Sequence, residues 1–371
     1  MNTYIVVGAG IVGVSTAYHL AKAGFKVTVV DRFDRGQATE AAAGIICPWL
    51  SQRRNKAWYE LVKGGARFYP QLVEELAEVG QTDTGYKQVG AISLHKDKEK
   101  LEAMAERAMK RRDMAPEMGD VDVVSSAEVQ RLFPPIHEDY GAVYVSGGAR
   151  VNGKAMRESL KLAAQQYGAK FFTGNANLLF TRQRVVGVKV NNQEFHADQV
   201  IVTAGAWGQE VIQSLGVQFA IKPQKAQIIH LELQGVDTQE WPVVQPPNNQ
   251  YMLAFGGGRV VIGATHEDEA RFDARKTAGG VSEILHKALE IAPGLSNAEI
   301  VDIKVGFRPV APGFLPVFGA LPDWEGIYVA NGLGASGLTS GPFLGAEIAK
   351  LVMGQQTQLN PSMYAVEGAI H

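Results

Sequence analysis

The stretch Ile5–Leu20, IVVGAGIVGVSTAYHL, followed closely by Lys26–Arg32, KVTVVDR, decides the fold. Tyr4 to Val7 reads as an apolar strand, Ile11 to Lys22 as a helix, and the second stretch as a strand that ends in an acid. Strand, glycine-rich turn, helix and strand make the β-α-β unit that binds a dinucleotide. Gly8, Gly10 and Gly13 fit G-x-G-x-x-G. Gly8 permits the tight turn, Gly10 lets a pyrophosphate approach the backbone, and Gly13 lets the helix pack closely on the sheet with its positive end toward the phosphates. Asp31 follows Gly13 by 18 residues, where a carboxylate can accept both ribose hydroxyls of an adenosine. A chain with 41 glycines in 371 residues will match such a spacing by chance. The strand, helix and acid in register carry the reading, which does not by itself separate NAD from FAD.

Composition narrows the rest. At 46% hydrophobic and 20% charged residues, the chain can bury one large core or two smaller ones, and two domains are expected. A net charge of −2 leaves no basic footprint for nucleic acid, and Lys110–Arg112 reads as the wet face of a helix. A small-molecule substrate follows. Cys47 is the only cysteine, which excludes an intramolecular disulfide, a multi-cysteine zinc site and an iron–sulfur cluster; no metal site is expected. The first strand starts within three residues of Met1, and no apolar run approaches the roughly 20 residues needed to span a bilayer. The expectation is a cytoplasmic protein in a reducing compartment, with peripheral membrane contact and assembly into a homo-oligomer left open.

Along the chain, Gly36–Trp49, GQATEAAAGIICPW, is too poor in charge for an exposed loop and too irregular for a continuous helix, so it packs against something flat. Helices are expected over Trp58–Val79, Lys98–Arg112, Ala127–Leu132, Asn152–Tyr167 and Gly341–Met353, the last opened by glycine and proline. Strands are expected over Val89–His95, Lys170–Thr173, Val185–Val190, Gln199–Thr203 and Gly326–Asn331. Phe219–Glu232 and Gln250–Thr265 carry alternating apolar residues and fit a second, mostly antiparallel sheet. The resulting class is α/β: a Rossmann-like nucleotide-binding domain from 1–85, 142–218 and 315–371, interleaved with a smaller substrate domain from 86–141 and 219–314. The crevice between them is the natural ligand site.

Five separated motifs, VVGAGIVG, DR with GQATEAAAGI, VIVTAGAW, GFRPVAPGFLPVFG and NGLGASGLTSGPFLGAEIA, together resemble the D-amino-acid oxidase family of FAD oxidoreductases. That group holds glycine oxidase, sarcosine oxidase and the D-amino-acid dehydrogenases. The resemblance implies FAD as cofactor, with Ile11 and Val12 at the pyrophosphate, Asp31 and Arg32 at the adenosine ribose, and Ala38 and Thr39 further along. It places Ala43, Gly44 and Ile45 against the isoalloxazine and Asn177 at the adenine through its backbone. Leu333, Gly334, Ala335, Ser336, Gly337, Leu338 and Thr339 would wrap the pyrimidine end, where backbone N–H groups and a helix N-terminus stabilise negative charge. Arg308 matches the arginine that clamps a substrate carboxylate, a task for which a planar, permanently charged fork is suited; a salt bridge to a structural acid is the alternative. Tyr251 matches a tyrosine that assists carboxylate binding, with core packing as its alternative. His266 stands beside the same crevice or in solvent.

By the same resemblance, a neutral substrate amine loses its α-hydrogen as a hydride to flavin N5, and water hydrolyses the resulting imine to a keto acid and ammonia or amine. Orientation by Arg308 and Tyr251 is the implied protein contribution, and no general base is named. Three departures mark this chain. No cysteine stands in Gly306–Pro309, so FAD should be non-covalent. Val261 stands where sarcosine oxidase has a lysine linked with oxygen activation, which admits a dehydrogenase using an acceptor other than oxygen. Ala335 replaces a second active-site arginine of glycine oxidase. The expected substrate is glycine, a D-amino acid or an N-methyl amino acid. The alternatives are a 2-hydroxy acid or glycerol-phosphate dehydrogenase on the same fold, and a tRNA-modifying or non-catalytic flavoprotein; the absence of a basic stripe speaks against RNA.

Overall fold

The computed structural model describes residues 2–370. The opening motif folds as its spacing requires, with strand Thr3–Val7, helix Ile11–Lys22 and strand Lys26–Asp31. These strands sit inside a six-stranded sheet ordered Val317–Ala320, Ile327–Asn331, Gln199–Val202, Thr3–Val7, Lys26–Asp31, Lys170–Thr173. All pairings in it are parallel except that of Val317–Ala320 with Ile327–Asn331. Alternation along the strands sends side chains to two different cores. Tyr4, Val6, Val27 and Val29 pack with helices Ile11–Lys22, Lys56–Glu78, Gly153–Gln166 and Gly337–Val352. Ile5, Val7, Val200 and Val202 pack instead against the antiparallel meander Asn177–Thr181, Arg184–Val190, Gln193–His196. Both faces are covered, which is why these strands read as almost unbroken apolar runs.

A second sheet of eight strands runs Glu299–Val310, Lys222–Glu232, Arg259–Gly263, Tyr251–Ala254, Val243–Gln245, Ala91–His95, Gly141–Val145, Val121–Val124. It is antiparallel apart from the parallel pair Val243–Gln245 with Ala91–His95. Gly141–Val145 thus joins this sheet, whereas the sequence reading put residues from 142 onward with the nucleotide-binding segments. An apolar strand of five residues does not reveal which of two sheets it enters. The two sheets are stitched together by short bridges, Gln37 with Phe307 and Val310 with Leu333, and by the Phe307 N–H donating to the Gly36 carbonyl at 2.8 Å. No helix of the described residues is long and apolar enough to cross a membrane.

The last long helix departs from expectation at its start. It begins at Gly337, one turn ahead of the Gly341–Pro342 pair taken as its opening, and carries Pro342 inside. Proline lacks the N–H that would bond the carbonyl four residues back, here that of Leu338. The buried hydroxyl of Tyr69, on helix Lys56–Glu78, takes its place and donates to the Leu338 carbonyl at 2.5 Å. Burial keeps that phenol protonated well above neutral pH. Tyr69→Phe should therefore leave the carbonyl orphaned and cost about 1–3 kcal/mol, read as a lower midpoint in urea unfolding, with no comparable loss in Tyr167→Phe on the surface.

Candidate active site

A mainly apolar cleft runs between the two sheets and encloses about 1580 Å3 including its open mouth. One end is built by the opening motif. Gly8 holds φ +104°, and an added Cβ would lie 2.6 Å from the Thr203 carbonyl oxygen; at Gly13 it would lie 1.8 Å from that of Gly8. Only hydrogen at these two positions lets the helix settle on the strands and turn its N-terminus to the cleft. Asp31 is fixed there by three donors: the Ala9 N–H at 2.6 Å, the Phe33 N–H at 2.6 Å and Gln37 Nε2 at 3.0 Å. Arg32 lines the same end with its guanidinium held by Asp34, Glu210 and Asn175.

Two helix N-termini open into this one cleft. Helix Ile11–Lys22 is capped by Gly10 and helix Gly337–Val352 by Ser336; neither has a side chain of its capping residue on the exposed N–H groups, and neither has an acid in its first turn. Thr39 Oγ1 accepts from the Ile11 N–H at 3.1 Å, and the other amides at that end are left for a ligand. At Gly337 an added Cβ would meet nothing within 4 Å, and at Gly334 nothing nearer than 3.9 Å, so space lies beyond both. An acid at one end, two unspent positive helix ends and a small-residue wall at Ala41–Ile45 suit an adenine dinucleotide carrying a flat ring system. The residues present fit FAD.

Of the residues singled out from the sequence, Gly8, Gly10, Ile11, Val12, Asp31, Arg32, Ala38, Thr39, Ala43, Gly44 and Ile45 line the cleft. So do Leu333, Gly334, Ala335, Gly337, Leu338, Thr339, Tyr251 and Arg308. Gly13 stands behind the wall as the packing glycine. Ser336 turns away and accepts from Trp58 Nε1 at 2.9 Å. Asn177 is exposed at the start of its strand and outside the cleft wall, which there consists of Gly174, Asn175 and Ala176. Val261 is buried in the apolar core, in one cluster with Ala226 and Ile228 of the cleft wall, and does not itself line the cleft. His266 is exposed and outside the wall, its pKa lowered by partial desolvation and by the nearby charge of Arg308. Cys47 is buried and its thiol is pushed up to about 12 by desolvation, so it is an inert part of the core.

Arg308 lies on strand Glu299–Val310, directly opposite Gln224 on strand Lys222–Glu232. Its Nη1 donates to Gln224 Oε1 at 3.2 Å, and among the described residues no carboxylate lies within ion-pair distance of it. Tyr251 faces the guanidinium; burial raises its pKa, with Arg308 opposing, so at neutral pH it is a phenol able to donate. Among the described residues the guanidinium is the only cation lining the cleft at this end, since Arg32 lies at the other. Sequence reasoning missed Gln224, whose role appears only through strand register, and Trp207 and Phe307, which form an aromatic wall with Phe272. Trp207 stood in the quoted motif VIVTAGAW, but its spacing gave no sign that it lines the cleft.

Residues 3–351 match the model of the FAD-dependent oxidoreductase family DAO. The uncharacterized oxidoreductase YurR of Bacillus subtilis is 58% identical over 371 residues, covering 100% of both chains. A glycine oxidase of Pseudomonas aeruginosa is 29% identical, covering 99% of each. The crystal structure of iminodiacetate oxidase from Chelativorans sp. BNC1 superposes with a TM-score of 0.95 at 43% identity, covering 98% of each chain.

Asp31→Ala removes a charge that the glycine turn is built around. Its flavin-to-protein absorbance ratio after purification should fall, with the FAD dissociation constant rising about 10-fold or more. Equilibrium dialysis against FAD checks this.

Proposed function

We propose that this chain, which belongs to the FAD-dependent oxidoreductase family DAO, oxidises a small carboxylate whose neighbouring carbon bears a primary or secondary amine. As a member it is an FAD-dependent oxidoreductase acting on amino acids or amines. One observation carries the finer reading: a guanidinium in an apolar cleft, with a phenol beside it and no acid to neutralise it. Such a group wants a carboxylate, and a flat two-pronged one satisfies it best. Within that class the likeness to an iminodiacetate oxidase supports N-substituted glycines, and the small side chain of Ala335 leaves room for a substituent on nitrogen.

FAD held in this cleft would supply the two-electron acceptor that the oxidation of an amine to an imine requires, and hydrolysis of that imine would give a keto acid and ammonia or the remaining amine. Asp31, the turn Gly8–Val12 and the Leu333–Thr339 segment would hold that cofactor without a covalent bond. Arg308 fixes the carboxylate and Tyr251 donates to it, so that the carbon bearing the amine points into the cleft. Orientation of this kind replaces a base. An alcohol substrate would need a group to take its proton, and His266, the one candidate for that role in the sequence, stands outside the wall.

Anaerobic mixing of the holoenzyme with glycine, sarcosine, iminodiacetate, D-amino acids and hydroxy acids should bleach the flavin with an amine from this set and not with a hydroxy acid. Bleaching by a hydroxy acid alone would overturn the reading, and re-admitting air to the reduced protein separates oxidase from dehydrogenase. Arg308→Ala should lower kcat/KM about 100-fold or more through loss of a charged, two-pronged contact. Tyr251→Phe should cost about 10-fold, mainly in KM.

A further inference from the structure

The segment Thr265–Thr277 leaves the end of strand Arg259–Gly263 and continues the antiparallel pairing of strand Lys222–Glu232 past the end of the regular sheet. Lys225 and Glu267 exchange both backbone hydrogen bonds, at 3.2 and 3.0 Å, and the buried Lys225 ammonium lies 3.3 Å from the Glu267 carboxylate. That register sets residue 268 opposite residue 224. Gln224 is buried, and its Nε2 donates to Asp268 Oδ1 at 2.8 Å while its Oε1 accepts from Arg308 at 3.2 Å.

The chain Asp268–Gln224–Arg308 has a fixed direction. A carboxylate only accepts and a guanidinium only donates, so the amide between them can satisfy both in one orientation alone. With Asp268 holding the NH2 end, the oxygen end must face Arg308. A glutamate at 224 would also orient the guanidinium, but it would form an ion pair and occupy the charge that a ligand is to meet. The neutral amide orients without neutralising, and the acid that fixes the amide is kept one side chain away.

Resting on the reading of Arg308 as a carboxylate site, we infer that Asp268 is a positioning residue for it: acting through Gln224, it sets the guanidinium for an incoming carboxylate and leaves its charge unpaired. Asp268 touches neither cofactor nor substrate in this arrangement.

The test is a titration of FAD-loaded protein with acetate at constant ionic strength, read as the perturbation of the flavin absorbance band. Wild type should saturate, and Arg308→Ala should abolish the response. Asp268→Asn, which frees the amide to turn, should weaken acetate about 3- to 10-fold. Asp268→Glu keeps an acceptor and should stay nearer to wild type than Asp268→Asn. Gln224→Glu, which brings a competing carboxylate onto the guanidinium, should weaken acetate about 10- to 100-fold. Flavin content and thermal midpoint should hardly change in the variants at 268 and 224, whereas a merely structural role would move those first. If Arg308→Ala abolishes binding while Asp268→Asn and Gln224→Glu bind acetate like wild type, the inference fails and the carboxylate site stands. If only Asp268→Asn weakens binding, the effect is loop damage and the inference also fails. If wild type does not bind acetate, or Arg308→Ala binds it equally well, the carboxylate reading fails and takes the inference with it.

Discussion

Arg308 brings a full positive charge into an apolar cleft and meets no acid there, and the rest of the site is arranged around that cost. Leaving a charge without a counterion in a partly buried place is unfavourable unless dipoles replace the water it loses. The replacements are neutral: the amide oxygen of Gln224 and the phenol of Tyr251. The bridge between Val310 and Leu333 then brings the entry of helix Gly337–Val352 close to the strand end that carries Arg308. A guanidinium and an uncapped helix N-terminus therefore reinforce one another at the same end, and the potential there favours anions.

That convergence depends on how the chain weaves. Arg308 and Tyr251 come from the eight-stranded sheet, the glycine turn and the last helix from the six-stranded one, so neither sheet holds a site by itself. What makes the junction rigid is backbone pairing across it: Phe307 to Gly36, and Val310 to Leu333. Both fall next to residues of the cleft wall. Small residues at Ala38, Ala41 and Gly306 allow the approach, since a Cβ at 306 would stand 2.7 Å from that of Ala41. The segment AAAGI, which the sequence marked as too apolar for a loop, is the surface between the sheets.

Legibility in the sequence followed the range of the interaction. The opening β-α-β unit was readable because its periods, glycines and acid are all local, and the helices Ile11–Lys22 and Lys98–Arg112 have the bounds their patterns imply. Contacts between distant strands were not. Gln224 is an ordinary residue until an antiparallel register sets it against Arg308, 84 positions away, and Asp268 gains its role only through Gln224. The start of the last helix was misread for a related reason: Pro342 looks like a first-turn residue, and nothing near it in sequence tells that Tyr69 supplies the missing hydrogen bond. The cleft wall ends at Ala176, one position before Asn177, and a difference of one residue along a strand is not visible to a spacing argument.

The charge at the Arg308 end also bears on the form in which an amine binds. A zwitterionic amino acid brings its ammonium close to its carboxylate, and on the proposed reading docking that carboxylate on Arg308 would replace an attractive neighbour of the ammonium by a neutralised pair. The Tyr251 phenol adds no negative charge, because burial holds it protonated. The uncapped end of helix Gly337–Val352 contributes further positive potential. Each effect disfavours the ammonium relative to the free amine and so draws the bound nitrogen toward its neutral form. Only the neutral amine has the lone pair that can become the second bond of an imine. On the proposed reading, the unpaired arginine that would take the carboxylate would also favour the neutral amine beside it, and the site would have less need of a separate base.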